Sequence, residues 1–181
     1  MADPMKTEPD VIIRELAPSD SLEELTELLH RSYQQLADMG LRYVATYQDV
    51  KTTRARIAQG VAFVAVSEGK LVGTIVFTRP EHTNLPKGKS IAGARKLNQL
   101  GVEPSMQGRG IGKRLFVHAE EYARAQGVTA LVLDTAENAT HLIDWYKRMG
   151  YKFEEYVQWD VTNYRSVVLV KSICEGVTPC N

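Results

Sequence analysis

The apolar positions along the chain switch repeatedly between two spacings, and each switch marks a structural element. Residues 11–16 form a short β-rich run that predicts a first strand. Ser21 and Glu24 make an S-x-x-E capping box, and Leu22, Leu25, Leu29 and Leu36 then recur at helical spacing. That helix should run to about Asp38 and stop before Gly40. A weaker helical pattern covers residues 49–59 and is stopped by Gly60. Residues 61–67 and 71–79 are β-rich and joined by Glu68-Gly69, a hairpin signal. The stretch 80–93 holds two prolines and two glycines and reads as a loop. Residues 94–102 predict a fourth strand, and Pro104 forbids continued regular pairing beyond it.

Ile111, Leu115, Ala119 and Tyr122 give the stripe of a third helix that ends before Gly127. Residues 130–134 predict a fifth strand, residues 140–149 a fourth helix stopped by Gly150, and residues 151–159 and 165–172 two closing strands. The order is β-α-α-β-β-β-α-β-α-β-β. Helix-linked strands favour parallel pairing, whereas hairpins are antiparallel. The expected fold is therefore α/β (α+β): one mixed, mostly antiparallel sheet of about seven strands flanked by four helices. Its core should span about residues 11–172, with short tails.

Composition narrows the class only slightly. The 181 residues suit one domain, and no internal repeat, low-complexity tract or linker divides them. Hydrophobic residues at 44% and charged residues at 24% are ordinary for a soluble globular protein. Lys plus Arg numbers 22 and Asp plus Glu numbers 22, so the formal charge is zero. That balance argues against a general nucleic-acid binder. The longest apolar runs, such as residues 61–66, are strand-sized and argue against a membrane span. Asp3, Glu8 and Asp10 beside a single Lys6, with no apolar core behind them, give the wrong charge order for a signal peptide and are too acidic for a mitochondrial transit peptide, so a cytoplasmic location is expected. Cys174 and Cys180 fit no common zinc or redox spacing, and His30, His82, His118 and His141 are scattered, so no metal is expected. The two cysteines read as incidental thiols, with a disulfide in the tail as the alternative.

The most informative stretch is Gln107-Gly108-Arg109-Gly110-Ile111-Gly112-Lys113-Arg114, between a strand and an amphipathic helix. Glycines here let backbone N–H groups approach a ligand, and the helix start adds a positive dipole end suited to phosphate. Arg109, Lys113 and Arg114 lie within it without an acidic residue. Two familiar phosphate motifs fail on their residues. A dinucleotide fingerprint starting at Gly108 needs glycine where Lys113 stands. A Walker A loop ending at Gly112-Lys113 needs glycine at Gln107 and Ser or Thr at Arg114. The Gly88-Lys89-Ser90 stretch fails likewise, because its first glycine would fall on Thr83.

What fits is Gln-x-x-Gly-x-Gly, filled by Gln107, Gly110 and Gly112, preceded by Leu97-x-x-Leu100-x-Val102-x-Pro104. This resembles the GNAT superfamily of acetyl-CoA-dependent N-acetyltransferases. Trp145-Tyr146-Lys147-Arg148-Met149-Gly150-Tyr151 is similar to that family's aromatic-Tyr-x-x-x-Gly-aromatic signature. The resemblance implies acetyl-CoA as cosubstrate, with no metal. Its pyrophosphate would be held by the backbone of Gly108, Arg109, Gly110, Ile111, Gly112 and Lys113, beside Gln107. Charge-assisted bonds of this kind contribute about 1.5–3 kcal/mol each. Lys113 and Arg114 either meet phosphates or are solvated at the helix start. In the family the fourth strand splays from the fifth and pantetheine pairs with its edge. That assigns Leu100 and Val102, and a main-chain N–H near Val102 would polarise the thioester carbonyl.

The implied reaction is direct attack by an amine through a ternary complex. An alkylamine is roughly one part in two thousand neutral at pH 7, equivalent to about 4.6 kcal/mol, so a base or water chain must take a proton. Tyr146 matches the family's general acid for the leaving thiolate; its other reading is a core aromatic. Two departures from the family pattern matter. Ala139 and Leu142 stand where the family often has Asn and Ala, while Asn138 lies one residue early. Asn138 therefore either contacts the cofactor or caps the fourth helix. Lys96 stands where protein-lysine acetyltransferases of the superfamily carry Glu, which weighs against that subclass and leaves the base open among Glu81, His82, Asp134 and a water relay. Tyr33, Tyr43, Tyr47, Trp159 and Tyr164 are candidates to wall an acceptor pocket. The expected partners are acetyl-CoA and a small amine, without nucleic acid or membrane, and a homodimer is compatible with the family. A peptide or protein amine as acceptor, and a non-catalytic acyl-CoA sensor, are the alternatives.

Overall fold

A computed structural model describes residues 10–83 and 93–174. Its elements follow the expected order: β1 Val11–Glu15, α1 Leu22–Asp38, α2 Val50–Ile57, β2 Gly60–Ser67, β3 Lys70–Thr78, β4 Ala94–Val102, α3 Ile111–Ala125, β5 Ala130–Ala136, α4 Thr140–Arg148, β6 Lys152–Gln158 and β7 Arg165–Ser172. The strands form one sheet in the order β1-β2-β3-β4-β5-β7-β6. Every neighbouring pair is antiparallel except β4 and β5, which are parallel. This is the mixed α/β architecture expected from the pattern.

Alternation along β2 distributes the core to both faces of the sheet. Phe63 and Ala65 join the cluster that contains Leu115, Phe116 and Ala119 of α3. Val64 and Val66 pack instead with Leu25, Leu28 and Leu29 of α1. Period two on the strand and 3.6 on the helices thus make two apolar layers from one sheet. The Ser21 hydroxyl accepts the Glu24 N–H at 3.1 Å, a cap that contributes about 1 kcal/mol. Glu24 does not close the box on Ser21; its Oε1 accepts the Leu71 N–H at 2.8 Å and ties α1 to β3. On the other face Lys171 Nζ reaches both oxygens of the buried Glu120 at 2.8 Å, joining β7 to α3.

The feature that positions the site is a split in the sheet. β4 and β5 pair over only Ala94↔Ala130, Arg95↔Leu131 and Lys96↔Val132. Beyond Lys96 the two strands part. The register between β3 and β4 shifts between Thr74 and Val76, and Gln99 adopts φ 51° there. A bulge of this kind bends its strand and raises its twist, which carries the far half of β4 away from β5. The N–H of Ala136 on β5 is accepted by the Tyr43 hydroxyl at 2.8 Å instead of by β4.

Some boundaries differ from the expectation. β5 runs to Ala136, two residues further than its apolar run. At the start of α4 the N-cap position is Ala139 and no side chain caps it, so Asn138 is not the cap. Cys174 is an exposed free thiol; Cys180, the tail disulfide it would need, and the middle of the 80–93 loop lie outside the described residues. Among the described residues no helix is long and apolar enough to cross a membrane.

Candidate active site

The parting of β4 from β5 opens a cleft of about 730 Å3 that α1, the start of α3, α4 and the segment before β7 enclose. One end is built by the glycine turn. Gly108 and Gly110 sit at φ 76° and 77°, in the left-handed region that a side chain disfavours, and a Cβ at either would meet no described residue within 4 Å. Gly110 occupies the N-cap of α3 without a side-chain cap. The backbone N–H groups of residues 108–113 make no hydrogen bond to another described residue. Six consecutive donors at a helix start suit a phosphate-bearing group such as coenzyme A. Gln107 supports the turn, donating from Nε2 to Val102 O at 3.1 Å. Gln107, Gly108, Gly110, Ile111, Gly112 and Lys113 line the cleft, as do Leu100 and Val102 on β4.

Three sequence candidates lie elsewhere. Arg109 is exposed and reaches Ser105 O at 3.5 Å, outside the cleft lining. Arg114 donates from Nη2 to Val11 O at 2.6 Å and braces α3 against β1, so its position is that of a structural residue. Asn138 is exposed in the turn after β5 and does not line the cleft.

Tyr146 lines the cleft from α4. Its ring packs edge-on against Phe116 at 5.8 Å and against Tyr151 at 6.3 Å, and tilts against Trp145 at 5.2 Å. The residue is 8% exposed and lines the cleft, and its hydroxyl has no hydrogen-bond partner among the described residues. Burial raises its pKa well above the ordinary phenol value, with the Tyr33 and Tyr43 phenols adding to the effect. The phenol is therefore a protonated donor at neutral pH.

The opposite end is aromatic and polar. The Tyr33 ring lies 5.5 Å from that of Tyr43, which lies 4.8 Å from Tyr164. Burial pushes all three phenols up, so they remain neutral. Tyr47, expected beside them, faces away: it is exposed and stacks under Arg42 at 4.7 Å. Lys96 Nζ meets Asp134 Oδ1 at 2.5 Å, and Trp159 Nε1 donates to Asp134 Oδ2 at 3.0 Å. Of the three side chains weighed as base, only Asp134 lines the cleft; Glu81 and His82 are exposed outside it.

One cationic residue went unread in the sequence. Arg56 on α2 lines this end of the cleft, and its Nη1 donates to Gln48 Oε1 at 2.7 Å. Gln48 in turn donates to Thr53 Oγ1 at 2.7 Å and to Gln99 Oε1 at 3.1 Å, at the bulge of β4. Arg56 shares its short helix with Lys51 and Arg54, and no spacing singles it out. Among the described residues no group of three His, Cys, Asp or Glu side chains could hold a metal ion.

Comparison with known proteins places this geometry. The model of the acetyltransferase (GNAT) family matches residues 22–151. The chain is 28% identical over 140 residues to the S-(2-succino)cysteine N-acetyltransferase of Bacillus subtilis (strain 168), covering 75% of this chain and 81% of that protein. It is 25% identical over 160 residues to the S-alkylcysteine N-acetyltransferase of the same organism, covering 86% and 88%. Among solved structures, the ribosomal-protein-S18-alanine N-acetyltransferase from Escherichia coli superposes with a TM-score of 0.70 at 16% identity, covering 95% of this chain and 99% of that one. An aminoglycoside 6'-N-acetyltransferase complexed with coenzyme A gives 0.65 at 18%, covering 92% and 99%. At these identities the structures speak to the fold, while the family match spans the capped first helix, the glycine turn and the Tyr146 signature. The chain belongs to the acetyltransferase (GNAT) family and is an acyltransferase.

Proposed function

We propose that this enzyme transfers the acetyl group of acetyl-CoA to the primary amine of a small molecule, by direct attack within a ternary complex. The observation that carries the reading is that the Tyr146 hydroxyl, without a hydrogen-bond partner among the described residues, shares one cleft with the open N–H run of residues 108–113. The family match and the two relatives named for cysteine derivatives support a small acceptor. Lys96, where protein-lysine enzymes of the superfamily carry Glu, points the same way.

In this reading Gly108, Arg109, Gly110, Ile111, Gly112 and Lys113 offer backbone N–H groups to the pyrophosphate, and the Lys113 side chain adds a cation. Leu100 and Val102 present the β4 edge, freed by the split, to the pantetheine arm. Acetyl-CoA supplies an activated acyl carbon on a thiolate leaving group. The amine forms the new N–C bond as the C–S bond breaks; the proton lost by nitrogen balances the one that Tyr146 gives to sulfur. Tyr146 suits that task because burial keeps its phenol protonated. Asp134 is committed to Lys96 and Trp159 through both oxygens, which favours a water relay for removing the amine proton. The Arg109 side chain and Asn138 are left as contacts to outlying parts of the cofactor.

Thiol release from acetyl-CoA over a panel of polyamines, amino acids, aminoglycosides and lysine peptides tests the proposal. Release with a small amine, together with its N-acetylated product, is expected. Tight acetyl-CoA binding without release for every amine would make the protein an acyl-CoA sensor instead.

A further inference from the structure

The acceptor end of the cleft holds one charge that forms no ion pair with any described residue. The only carboxylate among the described lining residues is Asp134, and Lys96 neutralises it at 2.5 Å. Arg56 remains. A guanidinium carries five N–H donors. One of them meets Gln48 Oε1 at 2.7 Å, and the rest have no acceptor among the described residues. No described acid forms an ion pair with it, Asp134 acting on it only at longer range, and the neighbouring phenols of Tyr33 and Tyr164 are held neutral by burial.

The arrangement is also fixed in place. Gln48 is only 2% exposed and uses both ends of its amide, accepting from Arg56 and donating to Thr53 and Gln99. Arg56 is thereby tied to the bulge that opens the cleft. A preorganised guanidinium in a partly dry pocket is a receptor for a planar anion, which it can grip through two parallel bonds. The same surplus charge repels an acceptor that brings only ammonium groups, such as a polyamine.

We propose that Arg56 anchors a carboxylate of the acceptor, so that the substrate is an amino acid whose free amine is acetylated and whose side chain lies against Tyr33, Tyr43 and Tyr164. The proposal rests on the acetyltransferase reading above and adds the substrate class to it. Arg56 sets specificity; the acetyl transfer itself is assigned to other groups.

The test compares S-benzylcysteine with S-benzylcysteamine, the same amine without its carboxylate. Hydrogen bonds to a charged partner discriminate by about ten- to a hundredfold. Wild-type kcat/KM should therefore favour the amino acid by about that factor. Arg56→Met should bring the ratio of the two substrates close to one, mainly through the KM of the amino acid, and Arg56→Lys should restore part of the preference. A wild-type enzyme that uses both equally, or an Arg56→Met enzyme that keeps the preference, overturns the anchor. Calorimetry of both compounds with coenzyme A-saturated protein separates this proposal from the one beneath it. Carboxylate-dependent binding that Arg56→Met abolishes, without turnover, upholds the anchor and overturns acetyl transfer. Binding indifferent to the carboxylate overturns the anchor whatever the turnover.

Discussion

Lys96 on β4 and Asp134 on β5 meet at 2.5 Å where the two strands separate. Lys96 is the last β4 residue paired with β5, so the ion pair marks the apex of the split. Trp159 Nε1 takes the second carboxylate oxygen at 3.0 Å, and the Lys96 ammonium lies 5.1 Å from the Trp159 ring centre. Asp134 therefore closes a three-residue corner of the cleft.

A carboxylate held on both oxygens is poorly placed to accept the proton of an amine. Asp134→Asn keeps an acceptor for Trp159 and removes the charge. The rising limb of kcat against pH should stay at the same pH in the variant, and kcat should fall by less than about tenfold, whereas loss of a general base costs about 10²–10⁴. A pH profile that loses its rising limb would assign the base to Asp134.

The glycine turn predicts a contrast between two neighbouring glycines. Gly110 has φ 77°, where a β-branched side chain costs about 1–2 kcal/mol. Gly112 lacks that constraint, and a Cβ there meets Trp145 and Val102 at the ordinary distances of 3.6 and 3.7 Å. Calorimetry should find that Gly110→Val weakens acetyl-CoA binding by more than about tenfold, the loss of at least one charge-assisted bond. Unchanged affinity in Gly110→Val would remove the phosphate role from the turn.

Asp20 links stability to pH. Arg14 donates to its two oxygens at 2.8 and 2.7 Å, and the Ala17 N–H adds a third bond at 2.7 Å. The guanidinium bonds hold the Asp20 carboxyl below the usual carboxylate range. A folded-state pKa below the unfolded one stabilises the fold fully above the ordinary value of about 4, and the benefit fades as pH falls through the folded value. Denaturation of wild type and Asp20→Asn should thus show a stability gap at about pH 6 that narrows on acidification. A gap of constant width from about pH 6 to about pH 3 would mean that Asp20 has no shift.

Much of the fold was legible because one-dimensional spacing reports local structure directly. β4 begins and ends at Ala94 and Val102 as its pattern predicts, and the Ser21 cap sits where the S-x-x-E motif puts it. Glu68 and Gly69 both have positive φ, as a tight hairpin requires. The glycine turn and Tyr146 were legible for another reason: their residue types are constrained by backbone geometry or chemistry. What spacing could not carry was contact between distant segments. Gln48 meets Gln99 across 51 positions and Lys96 meets Asp134 across 38, and neither pairing leaves a mark in the local pattern. Arg114 and Arg109 looked like equal partners of Lys113 because sequence proximity hides direction. On the helix Arg114 points to β1 and only Lys113 reaches the cleft.

Acetyl transfer with Tyr146 as the acid is put to the test by Tyr146→Phe at saturating acceptor and acetyl-CoA. The substitution keeps the ring packing against Phe116 and Trp145 and removes only the hydroxyl. The predicted result is a fall in kcat of about 10²–10⁴ with acetyl-CoA affinity retained. Full turnover by Tyr146→Phe would rule out Tyr146 as the acid.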